Sequence, residues 1–310
     1  MIPESQTGIV IRYQSGFYQV AMPDGQVTVC QLRGRLKRGP ARGDLVAVGE
    51  EVDVSRQPDG SGMIEAIHPR RSELARLAPT PRGPYRQVLV ANLDQVALVF
   101  ACAHPAPHLR MLDRFLVICE KQRLQPLIII NKVDLLPLET VQAMFDIYPG
   151  LGYRVLYVSA RAGLGLDALR AQLQGRISGF AGPSGVGKSS LLNAVQPELG
   201  LAVSEIGREG QKGRHTTVVR EMYALNEGGF VIDLPGLRSL ALWDTQPEEL
   251  DGYFPELRDL VADCAFNDCT HTHEPGCAVI EAVDAGRVHP ERYESYLRLR
   301  FGDEQPPTTV

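Results

Sequence analysis

The chain has 310 residues, a formal net charge of −5 and a hydrophobic fraction of 44%. The length fits two or three domains, and the composition is typical of a globular protein. Apolar runs such as residues 96–103 are shorter than the roughly 20 residues of a membrane span. The N-terminus lacks the charged start and apolar run of a secretory signal, so we expect a cytoplasmic protein. The acidic balance excludes a protein that binds nucleic acid by bulk charge.

Residues 8–67 contain short alternating or β-branched runs separated by turn signals, and the runs are GIVIRY, FYQVAM, VTVCQL, DLVAVG and GMIEAI. Five short strands favour an OB-type β-barrel, a fold that often binds RNA. Basic residues are concentrated here, at Arg33, Arg35, Lys37, Arg38 and Arg42, then at His68, Arg70, Arg71 and Arg76. We therefore predict an RNA-contacting barrel domain over residues 1–72. The alternative is a purely structural barrel with a solvated basic loop.

Beyond a Pro- and Arg-rich stretch at residues 69–86, which looks like a linker, apolar strands alternate with amphipathic helices. This alternation predicts a mostly parallel sheet covered by helices on both faces. We place this domain at residues 73–243. The remainder, residues 244–310, has a helical pattern around a cluster of cysteines.

A phosphate-binding motif follows one of the predicted strands and opens a helix, as its function requires. Residues 182–189 read GPSGVGKS, which matches GxxxxGK[ST]. Its glycines let backbone N–H groups turn toward a phosphate, and the helix N-terminus adds partial positive charge. Lys188 is expected to reach the β and γ phosphates, and the Ser189 hydroxyl to ligate Mg²⁺. We assign nucleotide contacts to Gly182, Pro183, Ser184, Gly185, Val186, Gly187, Lys188, Ser189 and Ser190.

A guanine-reading motif precedes the phosphate motif in the chain, at Asn131-Lys132-Val133-Asp134. The Asp134 carboxylate can accept hydrogen bonds from N1–H and the 2-amino group of guanine, and adenine offers neither donor. Lys132 would cover the base with its aliphatic stem, and Asn131 would tie this loop to the phosphate motif. Ser159-Ala160, at the end of the next strand, is expected to supply a second base contact through the Ala160 N–H. Together these motifs predict GTP binding.

The catalytic end of the site is expected around the DLPG sequence at 233–236, with Asp233 near magnesium and the Gly236 N–H near the γ-phosphate. In the polar segment 205–217, Thr217, or failing that Thr216, is the candidate to close on Mg²⁺. Many GTPases have a glutamine directly after the DxxG glycine, but Leu237 stands here and cannot orient water. We therefore expect slow intrinsic hydrolysis that a partner stimulates, with His215 as the best substitute nearby.

The six cysteines fall into two groups. Cys30, Cys102 and Cys119 lie within apolar patterns and are expected to be buried hydrophobes. Cys264, Cys269 and Cys277 surround His271, and three thiolates with one imidazole form a closed tetrahedral set typical of structural zinc. His273 could compete with His271 for the fourth position.

The motifs occur in the order NKVD, SA, GPSGVGKSS, HTT, DLPG and finally C-x4-C-x-H-x5-C. A chain with this order resembles the RsgA (YjeQ) family of bacterial circularly permuted GTPases. RRSELAR after the barrel, SGVGKSSLLN, GRHTT and YESYLRL strengthen the resemblance, which covers nearly the whole chain. It implies an OB domain, a circularly permuted P-loop α/β GTPase domain and a mostly helical zinc domain that act together on the small ribosomal subunit and its rRNA. It also implies Cys264, Cys269, His271 and Cys277 as zinc ligands. One departure is Val218, where the family often has a third threonine.

The permuted order places the phosphate-sensing loop at 233–240 directly before the C-terminal domain. Our hypothesis is that GTP fixes the zinc domain against the small subunit and that hydrolysis releases it. The rival interpretations are a P-loop kinase or ATPase, for which NKVD has no use, and a binding protein in which GTP only tunes RNA affinity. A GTPase acting on another RNA, such as a tRNA, is a further alternative. Nothing in the sequence calls for a dimer, and a monomer is expected.

Overall fold

The computed structural model describes residues 5–38, 46–78, 85–202, 221–234 and 245–302. Within these ranges no helix has the length and apolar character needed to cross a membrane.

The N-terminal part is a closed five-stranded barrel with strand order β1-β2-β3-β5-β4. Its strands are β1 (Ser5–Gln14), β2 (Phe17–Ala21), β3 (Val27–Leu32), β4 (Glu51–Arg56) and β5 (Gly62–Ile67). Alternate side chains fill the interior, among them Val10, Val20, Cys30, Val52 and Ile64, all fully buried. The barrel predicted from the sequence is confirmed.

The fourth barrel strand lies later in the chain than its apolar pattern predicted. In the run DLVAVG, residues 46–49 form a turn in which Glu50 N–H donates to the Ala47 carbonyl. Val48 packs instead into the core of the next domain. The strand is EVDVSR, whose alternating valines Val52 and Val54 face the barrel interior. The prediction was wrong because an apolar run can be buried against a second domain without being a strand.

The linker predicted at residues 69–86 is also wrong in part. Strand β6 (Glu73–Ala78) lies within it and pairs antiparallel with β7 (Tyr85–Ala91). Leu74 and Val90 are partners in this hairpin, and both are buried in the core of the central domain, which contains the phosphate motif. The apolar positions of ELARLA were therefore a better guide than the prolines that follow them.

The central domain contains a six-stranded sheet of order β10-β9-β8-β11-β13-β12, parallel except for the edge strand β12. Its strands are β8 (Gln95–Ala101), β9 (Pro126–Asn131), β10 (Arg154–Tyr157), β11 (Ile177–Ala181), β12 (Met222–Ala224) and β13 (Phe230–Asp233). Its helices are α1 (Leu109–Lys121), α2 (Leu138–Met144), α3 (Ile147–Gly150), α4 (Leu166–Leu173) and α5 (Lys188–Val195). Alternate residues of β8 enter two different cores: Leu98 packs with α1 and α2, and Val99 with α4 and α5. The predicted α/β layering is confirmed.

The C-terminal part is mostly helical, as predicted, and packs against α1. It contains 3₁₀ turns at Pro247–Tyr253 and Val261–Asp263, and the helices α6 (Pro255–Arg258), α7 (Ala278–Asp284) and α8 (Pro290–Phe301). Its core is one cluster that includes Phe254, Leu257, Val279 and Tyr296, together with Val117 of α1.

A buried ionic network joins α1 to α8. Arg292 donates to the Asp113 carboxylate at 2.7 Å and to Glu256 at 2.6 Å, and both Arg292 and Asp113 are only 1% exposed. Asp113 also accepts bonds from Ser295 at 2.5 Å and from Tyr148 at 3.0 Å. Burial alone would lower the pKa of Arg292, but the carboxylates of Asp113 and Glu256 outweigh it and raise the pKa. The network therefore fixes one orientation of the C-terminal part on α1.

We expect Arg292→Met to lower the free energy of unfolding by about 3 kcal/mol, because it leaves the buried Asp113 carboxylate without a cationic partner. Denaturant unfolding followed by circular dichroism measures the loss. Arg110→Met is the matched control, since the Arg110–Glu294 pair joins the same two helices but is 58% and 39% exposed. The control should change stability by less than about 1 kcal/mol. Equal effects of the two substitutions would contradict the special role of the buried pair.

Candidate functional site at the carboxyl edge of the sheet

The sheet order brings the motifs for base, phosphate and metal to one edge. Asn131 ends β9, Ser159 follows β10, the GPSGVGKS loop follows β11, and Asp233 ends β13. Because these strands are parallel, all four carboxyl ends lie on the same side of the sheet, where ligands bind in such folds. Strand β8 separates the base motif from the phosphate motif. Motifs in an unusual chain order thus become neighbours in space.

Glycine is required at two positions of the phosphate loop. Gly182 has φ +152°, and a Cβ there would lie 2.0 Å from the Val99 carbonyl oxygen. Gly187 has φ +93° and caps helix α5, and a Cβ there would lie 2.6 Å from Asn131 Nδ2. Side chains at either position would displace the loop from its neighbours. The loop therefore presents backbone and the N-terminus of α5 to a ligand, which suits an anion.

Lys188 lies over the phosphate loop. Its ammonium group donates to the carbonyls of Gly182 at 3.0 Å and Pro183 at 3.1 Å. The cation is thus already held inside the curve of the loop, next to the backbone that a phosphate would face. This arrangement fits a nucleotide phosphate, whose oxygens would take bonds from Lys188 and from the loop amides.

Asn131 connects the base motif to both neighbouring loops. Its Nδ2 donates to the Val186 carbonyl at 2.9 Å, and its Oδ1 accepts from the Ala160 N–H at 3.1 Å. The first bond is the link to the phosphate loop that the sequence predicted. The second bond occupies the amide that we assigned to guanine, so the base would have to share this donor or displace Asn131 from it.

Asp134 and Lys132 occupy the positions expected of a base-reading pair. The Asp134 carboxylate accepts a bond from the Ser159 hydroxyl at 2.5 Å, and this hydroxyl accepts in turn from the Ala162 N–H at 3.0 Å. Lys132 has φ +65° and donates to the Gly185 carbonyl at 2.7 Å and to the His104 carbonyl. Burial lowers the pKa of Lys132. Ser159 therefore orients the carboxylate that would contact guanine.

The metal and catalytic end of the site is described only in part. Asp233 is exposed at the end of β13. Ser189, the predicted magnesium ligand, is the second residue of α5. Five further predicted residues of this end lie outside the described residues: His215, Thr216, Thr217, Gly236 and Leu237.

A second site is formed by Cys264, Cys269, His271 and Cys277, whose ligand atoms all lie within 4.8 Å of one another. Cys264 Sγ lies 4.0 Å from Cys277 Sγ and 3.6 Å from His271 Nδ1, which is 3.4 Å from Cys277 Sγ. Ligands at about 2.3 Å around a tetrahedral ion lie ~3.8 Å apart, so these separations fit zinc. Burial raises the pKa of the Cys269 thiol to about 12. A bound divalent cation would reverse that shift and hold the thiols as thiolates.

Surrounding residues fix the orientation of His271. Its Nε2 lies 3.3 Å from the Asp251 carboxylate, so Nδ1 is left to face the thiols. The Glu274 carboxylate accepts bonds from the Thr270 hydroxyl and from the N–H groups of Thr270, Thr272 and His273. Burial alone would raise the pKa of Glu274, but the bonds from the Thr270 hydroxyl and from the Thr270 and Thr272 N–H groups outweigh it and lower the pKa. His273 itself is exposed and bonds to Thr272, so the structure brings His271 and not His273 to the cluster.

Sequence reasoning missed Asp251 and Glu274. Glu274 stands between two ligand cysteines, so its position in the sequence could have marked it as part of the loop. Asp251 lies in a 3₁₀ turn and has no motif that would reveal it. The remaining cysteines, Cys30, Cys102 and Cys119, are buried as expected.

The basic residues of the barrel are more heavily paired than the sequence suggested. Arg33 and Arg35 both contact Glu65, and Arg70 donates to Glu50 at 2.6 Å. The side chains of Lys37 and Arg38 and the whole of Arg42 lie outside the described part of the chain. The exposed apolar side chains of the barrel, each about half exposed, are Tyr13, Phe17, Val27 and Val29. Aromatic side chains of this kind can stack on unpaired bases.

A phosphate loop and a guanine-reading motif on one sheet edge, with the reader first in the chain, define a circularly permuted GTPase. A family model described as RsgA GTPase matches residues 67–243, and one described as RsgA N-terminal domain matches residues 7–64. The chain belongs to the RsgA GTPase family.

Relatives and solved structures agree with this family. The chain is 48% identical over 299 residues to the small ribosomal subunit biogenesis GTPase RsgA of Gemmatimonas aurantiaca, covering 96% of this chain and 97% of the relative. Identity to the RsgA of Moorella thermoacetica is 42%, with 94% of each chain covered. The fold is similar to YjeQ from Thermotoga maritima, with a TM-score of 0.78, 36% identity and coverage of 96% and 98%. It is also similar to YloQ, a circularly permuted GTPase, with a TM-score of 0.75, 33% identity and coverage of 98% and 97%.

Proposed function

We propose that this chain is a GTP hydrolase that acts as a maturation or checkpoint factor late in small ribosomal subunit assembly, binds rRNA, and leaves when GTP is hydrolysed. One observation carries the proposal. The guanine and phosphate motifs meet at one sheet edge in a chain that matches, over nearly its whole length, relatives named as small ribosomal subunit biogenesis GTPases.

In this proposal the carboxyl edge of the sheet binds the nucleotide. Asp134, oriented by Ser159, accepts from the guanine, while Lys132 covers its face and the Ala160 N–H donates to the guanine oxygen. Asn131 holds the base loop against the phosphate loop. The phosphates lie in the backbone of residues 182–190, and Lys188 donates to their oxygens.

Hydrolysis would take place beside Asp233. Magnesium, which offsets phosphate charge when bound, would be held by Ser189 and by Thr217 or Thr216. The Gly236 N–H would face the γ-phosphate, and His215 is the candidate to orient the attacking water. Because Leu237 carries no polar group, turnover by the chain alone would be slow, and the small subunit would complete the site.

The remaining domains would present this site to the subunit. We assign residues 1–72 to the rRNA-contacting barrel, residues 73–243 to the GTPase domain and residues 244–310 to the zinc domain. One structural zinc ion would be held by Cys264, Cys269, His271 and Cys277. The protein would act as a cytoplasmic monomer, with other late maturation factors as further candidate partners.

Sedimentation with purified small subunits tests the cycle of binding and release. We expect the protein to pellet with small subunits in the presence of a non-hydrolysable GTP analogue and to remain in the supernatant with GDP, because only a nucleotide with a γ-phosphate would engage the segment around Gly236. Large subunits serve as the control and should not retain the protein. Equal retention with GDP and the analogue would contradict release by hydrolysis.

The second candidate is a GTP-tuned RNA-binding protein whose hydrolysis is incidental or serves another RNA. It is favoured by the exposed aromatic residues Tyr13 and Phe17 on the barrel, which are suited to single-stranded RNA in general. Competition between small subunits and tRNA for the protein distinguishes the two candidates.

A further inference from the structure

Strand β1 belongs structurally to two domains because of an irregularity in its pairing with β2. Val10 pairs with Val20 and Arg12 with Gln19, so Ile11 is an extra residue that forms a β-bulge. Val10 fills the barrel interior, whereas Ile11 is buried in the core of the GTPase domain, in the same cluster as Met222 and Ile232. Bulges redirect side chains in this manner. Because of this bulge, the side chains of two consecutive residues, Ile11 and Arg12, both contact the GTPase domain instead of the barrel interior.

Arg12 makes the polar part of this junction. Its backbone forms an antiparallel bridge with Glu221, and its Nη1 lies 3.4 Å from the Glu221 carboxylate. The Arg12 and Glu221 side chains are 30% and 35% exposed. An ion pair this exposed is weak, so a partner that contacts the barrel can change its geometry at little cost.

Glu221 lies on the edge strand of the sheet, next to the phosphate end of the nucleotide site. Met222 pairs with Ile232 in the antiparallel ladder of β12 and β13, so Glu221 is one position further, beside the end of β13 where Asp233 stands. Tyr223 lies two positions after Glu221, on the same face of this ladder. Along the chain, Glu221 also follows Thr216 and Thr217 closely.

On its other side, Arg12 borders a shallow groove on the barrel surface. The groove is lined by Arg12, Gln14, Ser15, Phe17, Gln19 and Val29. Phe17 and Val29 are 49% and 48% exposed. A partner that occupies this groove therefore lies against β1 next to the bulge.

We propose that Arg12 and Glu221 are positioning residues that transmit engagement of the barrel to the phosphate end of the nucleotide site. A partner seated in the groove steadies the bulged part of β1. The bridge and ion pair then hold the start of β12 in place beside Asp233. The inference rests on the proposed function, because it assigns a route to the stimulation of GTP hydrolysis by the small subunit.

Single-turnover GTP hydrolysis, measured with increasing concentrations of small subunits, tests this route. For Glu221→Gln we expect the intrinsic rate to stay within about twofold of wild type and the rate at saturating subunits to fall about threefold, the effect of a weak pair. The subunit concentration at half-saturation should not change, since Glu221 does not face the groove. Arg12→Gln should lower the saturating rate similarly, and the exchanged pair Arg12→Glu with Glu221→Arg should recover most of it. Arg56→Gln is the matched control and should behave as wild type, because it breaks an exposed ion pair with Asp24 between two residues of the barrel domain.

Three results would overturn the inference. Full stimulation of Glu221→Gln would show that the pair transmits nothing. If Arg12→Gln changed only the concentration of small subunits at half-saturation and not the saturating rate, Arg12 would be a direct contact of the subunit. Failure of the exchanged pair to recover the rate would show that the two residues act separately. If small subunits do not stimulate wild type, the proposed function fails and this inference fails with it. If they stimulate wild type and the variants equally, only this inference fails.

Discussion

Replacing Asp134 by asparagine should weaken GTP binding about a thousandfold, because guanine loses two hydrogen bonds to a charged acceptor and its 2-amino group meets the amide instead. The same substitution should improve binding of xanthosine triphosphate. Xanthine has a carbonyl oxygen where guanine has the 2-amino group, so the asparagine amide can donate to it. Asp134 is exposed, and its carboxylate is already oriented by Ser159.

Fluorescence titration with labelled GTP, GDP and xanthosine nucleotides measures both changes. Asp167→Asn is the matched control: this aspartate is fully exposed in the first turn of α4 and lies outside the motifs. The control should leave GTP affinity within about twofold of wild type, as expected of a surface position. If Asp134→Asn retained wild-type GTP affinity, the assignment of residues 131–134 as the base reader would be wrong.

Removal of zinc should unfold the C-terminal part. This part has short helices and a small core to which Cys269 and Cys277 themselves belong, so we expect its stability to depend on the metal, as in other small metal-stabilised domains. In zinc-binding peptides the apparent contribution of the ion is about 10 kcal/mol or more at neutral pH. We therefore expect Cys277→Ser, or chelation of wild type, to expose the amides of α7 and α8 to rapid hydrogen exchange.

Elemental analysis and hydrogen exchange with mass spectrometry test this prediction together. Cys30→Ala, which removes a buried thiol from the barrel, is the control and should keep one zinc per chain and the protection of α8. The barrel and the sheet should remain protected in Cys277→Ser. Unchanged protection of α7 and α8 after loss of the metal would contradict a structural role.

The sequence predicted the parts of the fold in which local pattern and chemistry agree. The phosphate motif requires a strand before it and a helix after it, so the motif GPSGVGKS also located β11 and α5, which begins at Lys188. By contrast, DLVAVG was assigned to the barrel on hydrophobicity alone. That pattern cannot distinguish a strand from a segment such as Val48 that is buried against a neighbouring domain.

Contacts between distant residues were beyond sequence reasoning. Asp113 and Arg292 are 179 positions apart in the sequence. In the sequence alone, each looks like an ordinary surface charge on an amphipathic helix. The pairing of Arg33 and Arg35 with Glu65 is a similar case. The sequence shows these arginines only as part of a basic cluster, but the barrel topology places a carboxylate next to them. The bulge at Ile11 also has no sequence signal, because it depends on the register between β1 and β2.

The rate of GTP turnover with and without purified small ribosomal subunits tests the central claim most directly. Assays with ATP and with large subunits serve as controls. We predict slow turnover by the protein alone and at least about a tenfold stimulation that is specific to GTP and to the small subunit, because a partner completes a site whose water-orienting position is Leu237. Turnover that small subunits leave unchanged, with tight GTP binding retained, would contradict the account and identify the protein as a GTP-tuned RNA-binding protein.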